Sequence, residues 1–183
     1  MSATPTLRTA RLVIGAFDSD DARELQRLAG AREVADTTLA IPHPYELDHA
    51  FAWIAQQRRE AVRGRATNFA IRLAQTGALI GSVGLRDIDP EHLQAELGFW
   101  IGHEWWGNAY AREAASSVVR FGFDALGLNR ICAHHMARNP AAGRVLLAVG
   151  MQREGLLRQR VRKWGVYEDV VLYAVLREDR SES

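Results

Sequence analysis

A strand-like segment in the middle of the chain runs into a helix through a loop that has almost no side-chain volume. The strand is AELGFWIG (95–102), and the loop that follows two tryptophans is Gly107-Asn108-Ala109. In the predicted helix, 109–126, small and apolar residues form one stripe: Ala111, Ala114, Ala115, Val118, Gly122 and Ala125. The first N–H groups of a helix lack intrahelical partners and attract anions, so this bare start suits a phosphate. A tight turn with close helix–sheet packing explains the same residues.

Strand-like and helix-like segments alternate along the rest of the chain. Helices are predicted at 18–30, 48–63, 109–126 and 140–149. Strands are predicted at 11–17, 67–74, 78–89, 95–102 and 130–137, and in a closing hairpin around Gly165. The order β-α-α-β-β-β-α-β-α-β-β predicts a mixed α/β (α+β) fold, with one largely antiparallel twisted sheet flanked by helices. We expect a single domain over 1–183, a loop at 37–50 and a frayed polar tail at 177–183.

Composition argues against several classes of protein. The formal net charge of +1 provides no basic field for nucleic acid, and a single cysteine, Cys132, forms neither an intramolecular disulfide nor a cysteine-rich metal site. Four histidines are scattered in loops and at element ends, so no metal is expected: His43, His49, His92 and His103. No apolar run reaches 18 residues and no signal peptide is recognised, so we expect a cytoplasmic protein that does not bind membranes. Walker A and G-x-G-x-x-G loops are absent.

Four stretches together resemble a known family. The segment ELGFWIGHEWWGNAYAREA (96–114) resembles the acyl-coenzyme A-binding core of the Gcn5-related N-acetyltransferases (GNAT), in particular the RimJ/RimL type that acetylates ribosomal-protein N-termini. LNRICAHHMARNPAAGRVLLAVGMQREGLLR (128–158) resembles the next strand, asparagine and short helix of that branch. LRTARLVIGAF (7–17) and GVYEDVVLYAVLRED (165–179) resemble its opening and its closing strand. The resemblance covers nearly the whole chain and implies a GNAT fold.

The resemblance also implies acetyl-coenzyme A as cosubstrate, with no metal. Its pyrophosphate is expected on backbone amides at the helix start, and its pantetheine arm along the preceding strand. The implied coenzyme contacts are Phe99, Trp100, Ile101, Trp106, Gly107, Asn108, Ala109, Tyr110, Ala111, Arg112, Asn139 and Arg144. Asn139 is equally suited to be a helix N-cap before Pro140, and Arg144 to be a solvated surface arginine.

Two features depart from the family pattern. Ala109 stands where the family usually has glycine, which is tolerable if the residue keeps a helical φ. Ala142 and Leu146 stand where relatives carry a serine or a tyrosine, so neither provides a general acid. The carbonyl can instead be polarised by a backbone N–H of strand 95–102.

The candidate general base is Glu96, which acts directly or through a water and matches a glutamate common in this branch. A surface strand glutamate is the alternative. His134 and His135 are adjacent on one predicted strand, so alternation directs one to each face of the sheet. Each suits a hydrogen-bonded structural role, with acid–base chemistry as the second interpretation.

The resemblance implies an N-acetyltransferase but does not identify the amine that accepts the acetyl group. An α-amine, with a pKa of roughly 7.7–8.0, is neutral far more often at neutral pH than a lysine amine at roughly 10.4, so weak base chemistry favours a protein or peptide N-terminus. A small amine (antibiotic, amino acid or polyamine), a larger acyl group and a non-catalytic acyl-coenzyme A-binding module are the alternatives. The acceptor is expected between Thr37–Tyr45, with Phe51 and Trp53, and the turn Trp164–Tyr167, in a monomer or homodimer.

Overall fold

Eight strands and five α-helices make up residues 4–182, the part of the chain that this computed structural model describes. The strands are β1 (Leu7–Arg8), β2 (Leu12–Gly15), β3 (Thr67–Leu73), β4 (Leu79–Asp89), β5 (Gln94–Ile101), β6 (Arg130–Met136), β7 (Gln152–Lys163) and β8 (Val166–Leu176). The helices are α1 (Ala22–Ala29), α2 (Arg32–Thr37), α3 (Leu47–Val62), α4 (Tyr110–Asp124) and α5 (Pro140–Ala148). All eight strands form one sheet in the order β1-β2-β3-β4-β5-β6-β8-β7.

The centre of the sheet holds a parallel pair, β5 and β6, between two antiparallel halves. The parallel register is short and ends where Glu96 lies opposite Cys132. Beyond that point β5 stays paired with β4 as far as Ile101, while β6 stays paired with β8 as far as Met136. The two halves therefore separate, and β5 presents an open edge beyond Glu96.

Helices pack on both faces of the sheet and define two apolar cores. On one face, α4 and α5 contribute Ala114, Ala115, Val118 and Leu146 to the larger core. Gly122 lets α4 approach closely, because a Cβ there would lie 2.8 Å from Ile131 Cδ1 and 2.9 Å from Leu85 Cδ1. On the other face, α1 and α3 contribute the smaller core, which includes Leu25, Leu28, Ala50 and Ile54.

The mixed, largely antiparallel sheet with its flanking helices confirms the predicted fold class. The predicted order missed β1 and α2, which have two and six residues and are too short for a periodic pattern. The expectation of a frayed tail is wrong for Glu178–Glu182, which form a 3₁₀-helix. Asp179 Oδ2 accepts the Leu176 N–H at 2.8 Å, and Arg180 pairs with Asp124 at 2.6 Å, so this segment is tied to β8 and α4.

Candidate active site

The open edge of β5 exposes backbone groups that a ligand can pair with. Gly102 N–H donates to Ile80 O at 2.8 Å, and the register continues with Ser82 opposite Trp100. Because backbone polar groups alternate along a strand, those of Trp100 point to β4 and those of Phe99 point to the open edge. An extended ligand can therefore pair with β5 at Phe99 as an added strand.

Two residues of the implied pantetheine site are less available than Phe99. The Ile101 carbonyl accepts a hydrogen bond from the indole Nε1 of Trp106 at 2.7 Å. The Trp100 side chain packs against the smaller core, beneath α1 and α3. The edge that remains open is thus short and lies close to the point where β5 and β6 separate.

The start of α4 is bare because the chain enters it through two residues in the left-handed region. Gly107 has φ 79° and Ala109 has φ 61° and ψ 14°. The condition that Ala109 keeps a helical φ is therefore not met, and a left-handed alanine costs on the order of 1 kcal/mol. A turn of this kind can direct successive backbone N–H groups into one concave space that binds anions.

No described side chain caps α4, so the N–H groups of Tyr110, Ala111 and Arg112 are open to a ligand. Asn108 does not block them, because its Nδ2 donates back to the carbonyls of Trp105 and Trp106, both at 3.1 Å. The fold therefore places an anion site beside the open edge of β5, and the two fit the pyrophosphate and the extended arm of a coenzyme A thioester.

The remaining residues of the implied coenzyme site are engaged to different degrees. The Trp106 N–H donates to His103 O at 3.2 Å and is not free for a phosphate. Tyr110 packs against the larger core, with the guanidinium of Arg11 4.6 Å from its ring centroid. Arg112 and Arg144 are exposed, and neither forms an ion pair with a described side chain.

Asn139 is the N-cap of α5, as one of its two interpretations predicted. Its Oδ1 accepts the Ala142 N–H at 3.4 Å, and its Nδ2 donates to Thr37 O at 3.4 Å. The amide therefore holds the end of α2 against the start of α5. Leu146 is buried in the larger core, so its position does not face the open edge.

Glu96 lies at the point where β5 and β6 separate, on the face opposite α4. Arg86 of β4 donates from Nε to Glu96 Oε1 at 3.0 Å and also through Nη2, and His134 Nδ1 lies 3.1 Å from the same oxygen. The side chains of Glu96 and His134 are 18% and 22% exposed, so both can be reached from solvent. Three strands thus bring a cation, a carboxylate and an imidazole together.

Burial lowers the pKa of His134 below its usual value near 6.5. Glu96 opposes this effect, whereas the charges of Arg86 and Arg160 add to it. His134 is therefore neutral at neutral pH. His135 faces the opposite side, where its Nδ1 lies 2.8 Å from Met136 O and its ring stacks on Tyr173. The predicted alternation of the two histidines is confirmed.

The segments predicted to surround the acceptor lie together. Lys163, which is 7% exposed, donates from Nζ to Ile41 O at 2.9 Å, and the rings of His43 and Trp164 have centroids 6.0 Å apart. Arg138, just before Asn139, binds Asp36 of α2 at 3.0 Å and Glu168 of β8 at 2.7 Å. The β7–β8 hairpin and the loop after α2 therefore form one wall. Phe51 is exposed and Trp53 packs edge-on against Phe17, in the smaller core.

Two residues that contribute to the site were not predicted from the sequence. The first is Arg86, whose guanidinium donates hydrogen bonds to Glu96. The second is Glu113 in the first turn of α4. It accepts hydrogen bonds from Thr9 Oγ1 at 2.6 Å, from the Arg11 N–H at 2.9 Å and from Arg11 Nε at 2.7 Å. Glu113 thus ties α4 to the start of β2. The family-like stretch YAREA contains Glu113, but nothing local indicates partners about a hundred positions away.

Within residues 4–182 no group of three or more histidine, cysteine or carboxylate side chains could hold a metal ion. Over the same range, no helix is long and apolar enough to cross a bilayer.

Comparison with known proteins agrees with this geometry. The chain matches the family model for the acetyltransferase (GNAT) domain over residues 11–152. The N-acetyltransferase YoaA of Bacillus subtilis (strain 168) is 32% identical over 178 residues, covering 94% of this chain and 97% of the relative. The ribosomal-protein-serine acetyltransferase of Escherichia coli (strain K12) is 30% identical over 112 residues, covering 61% and 62% of the two chains.

A solved relative shows the same fold. The spermidine N-acetyltransferase from Vibrio cholerae, in complex with CoA and spermine, has a TM-score of 0.81 and 26% identity, covering 93% of this chain and 98% of that chain. The family model spans most of the sequence, and the open strand edge beside a bare helix start is a site that fits coenzyme A. The chain therefore belongs to the GNAT family and is an acetyl-coenzyme A-dependent N-acetyltransferase.

Proposed function

We propose that this N-acetyltransferase acetylates the α-amine of a protein or peptide N-terminus and that Glu96 is the carboxylate on which removal of the acceptor proton depends. The observation that carries the proposal is the position of Glu96, beside the open edge of β5 where the halves of the sheet separate. Acetyl-coenzyme A supplies an activated acetyl group, and the backbone N–H of Phe99 is placed to polarise its carbonyl.

The amide groups at the start of α4 hold the anionic part of the coenzyme. The contributing residues are Gly107, Asn108, Ala109, Tyr110, Ala111 and Arg112, while Phe99 pairs with the extended arm. Asn139 caps the start of α5, and the exposed Arg144 in the middle of that helix is available to a phosphate. We propose that the enzyme works in the cytoplasm, as a monomer or homodimer.

Charge on the acceptor side favours a peptide over a polyamine. Arg160 and Lys163 have no carboxylate within ion-pair distance among the described side chains. Three carboxylates nearby are already paired, Glu96 with Arg86 and both Asp36 and Glu168 with Arg138. Asp169 lines the same recess as Arg160, and its Oδ1 accepts the Gln159 N–H at 2.7 Å. A polycation would therefore meet the charge of Arg160 with only this one carboxylate to offset it.

A small amine is the second candidate acceptor, because the structural relative from Vibrio cholerae acts on spermidine. The same thiol-release assay separates the two. Wild-type protein is incubated with acetyl-coenzyme A and, in parallel, a peptide with a free N-terminal serine, the same peptide with a blocked N-terminus, and spermidine. The proposal expects thiol release with the free peptide alone, and mass spectrometry should place the acetyl group on its first residue.

Glu96→Gln tests the role of the carboxylate. The variant should lower kcat while leaving the dissociation constant of acetyl-coenzyme A near the wild-type value, because Glu96 lies away from the start of α4. Asp124→Asn, at an exposed ion pair with Arg180, is the matched control and should leave both values unchanged. Thiol release with spermidine alone would reject the peptide proposal, and an unchanged kcat in Glu96→Gln would remove Glu96 from the mechanism.

A further inference from the structure

His134 occupies the position where a base is needed. It lies on β6 two residues beyond Cys132, the last residue of the parallel register, and on the same face as Glu96. The acceptor must approach the open edge of β5 through this gap. An imidazole two residues into the gap is therefore beside the path of the amine.

The charge of Glu96 determines which ring nitrogen is free. His134 Nδ1 lies 3.1 Å from Glu96 Oε1, and a lone pair on Nδ1 would be repelled by the carboxylate, so the proton of a neutral ring is favoured on Nδ1. The lone pair is then on Nε2, and no described residue forms a hydrogen bond with that atom. Glu96, in contrast, already faces the guanidinium of Arg86, whose two N–H groups donate to Oε1.

We propose that His134 takes the proton of the acceptor ammonium at Nε2 and that Glu96 is a positioning residue that holds the Nδ1–H. The inference deepens the proposed function and rests on it for the identity of the acceptor. The amine nitrogen forms a bond to the acetyl carbon and the carbon–sulfur bond breaks. The second proton of the nitrogen passes to the thiolate that leaves, and His134 releases the first proton to solvent.

The electrostatic surroundings suit a base at neutral pH. Burial lowers the pKa of His134, so the ring is unprotonated and ready to accept. The charged groups that face it come from three strands: Arg86 of β4, Glu96 of β5 and Arg160 of β7. His135, its neighbour on β6, points to the other face of the sheet. Leu172, its partner on β8, adds no charge. When the ring becomes an imidazolium, the Glu96 carboxylate stabilises it.

Kinetics with a serine-initiated peptide test the assignment. His134→Asn should lower kcat by about 10²- to 10⁴-fold, the usual contribution of a general base, with the affinity for acetyl-coenzyme A unchanged. It should also abolish the acid limb of the profile of kcat/KM against pH. Glu96→Gln should keep the limb but move it to lower pH, because Glu96 raises the pKa of His134. Free imidazole should partly restore His134→Ala, and His92→Asn, in an exposed turn, should behave as wild type.

The opposite pattern would overturn the inference: an acid limb that persists in His134→Asn and disappears in Glu96→Gln makes Glu96 the base. A second measurement does not depend on turnover. Nitrogen-15 NMR of wild-type protein, with His134 assigned through its missing signals in His134→Gln, should show the Nδ1–H tautomer and a pKa below the usual value. An Nε2–H tautomer or a raised pKa would reject the inference, even if the peptide is not acetylated and the proposed acceptor is wrong.

Discussion

The side chains of Arg86 and His134 approach Glu96 from the strands on its two sides and share its Oε1 atom. Arg86 brings a permanent positive charge to this oxygen, and His134 brings a ring that can gain or lose a proton. The three groups are therefore electrostatically linked, and a change in any one of them alters the protonation of the imidazole.

Arg86→Gln should move the acid limb of kcat/KM to higher pH. Arg86 lowers the pKa of His134, so its removal lets the ring stay protonated at a higher pH. The shift is opposite in sign to that expected for Glu96→Gln, and the pair of variants forms an internal check. Arg153→Gln, at an exposed arginine near the start of β7, serves as the control in the same pH series. If the acid limb of kcat/KM moved in the same direction in Arg86→Gln and Glu96→Gln, the electrostatic link between these residues and His134 would be contradicted.

Ala109→Gly should stabilise the protein by about 1 kcal/mol, because glycine adopts φ near 61° without the penalty that a Cβ brings. Urea unfolding measures the change through the midpoint. Affinity for acetyl-coenzyme A should be equal or higher, since the backbone conformation is unchanged. The matched control is Ala111→Gly within the first turn of α4, which should destabilise by roughly 0.5–1 kcal/mol. Destabilisation by both variants would show that Ala109 is not left-handed in solution.

Glu113→Gln should destabilise the protein by about 1–2 kcal/mol near neutral pH, because it weakens charge-assisted hydrogen bonds to Thr9 and Arg11. Burial alone would raise the pKa of Glu113, but the hydrogen bonds to Thr9 and Arg11 outweigh it and hold the pKa below the usual value. A depressed carboxyl pKa means that this stability is present above the unfolded-state value, roughly 4.3, and is lost as the pH falls below it.

Unfolding measured at several acidic pH values should therefore show a shallower pH dependence in Glu113→Gln than in wild type. Asp20→Asn is the control, because the carboxylate of Asp20 is exposed and pairs with no cation among the described side chains. Equal slopes in Glu113→Gln and wild type would remove Glu113 from the acid response.

The sequence predicts the elements with strong periodicity and misses relationships that depend on register. The stripe of small residues indicates α4 and the alternation indicates β3 to β6, which is enough to place Phe99 beside the start of a bare helix. The left-handed φ of Ala109 has no local signal, because alanine rarely adopts it. Only the surrounding fold makes this residue do so.

The contacts around Glu96 also could not be predicted from the sequence. Alternation assigns His134 and His135 to opposite faces, but it does not say which of them meets Glu96. The parallel register between β5 and β6 decides this, and it is set by the crossover through α4 rather than by any local pattern. Arg86 reaches Glu96 only because β4 and β5 pair with those two residues opposite each other.

Peptides that differ in charge after the first residue should be distinguished by the charge of Arg160 on the acceptor side. A peptide that begins Ser-Glu should have a higher kcat/KM than one that begins Ser-Lys, because the exposed Arg160 attracts the first and repels the second. Partly exposed charges contribute about 0.2–1 kcal/mol each, so a difference of about 2- to 5-fold in kcat/KM is expected, and added salt should reduce it.

Arg160→Gln should reduce the difference in kcat/KM between the two peptides, while Arg153→Gln should leave that difference unchanged. Arg160 is the better variant, because Lys163 also holds the loop at Ile41 and its loss would change the wall itself. A preference for Ser-Lys, or one that salt does not affect, would mean that Arg160 does not face the acceptor.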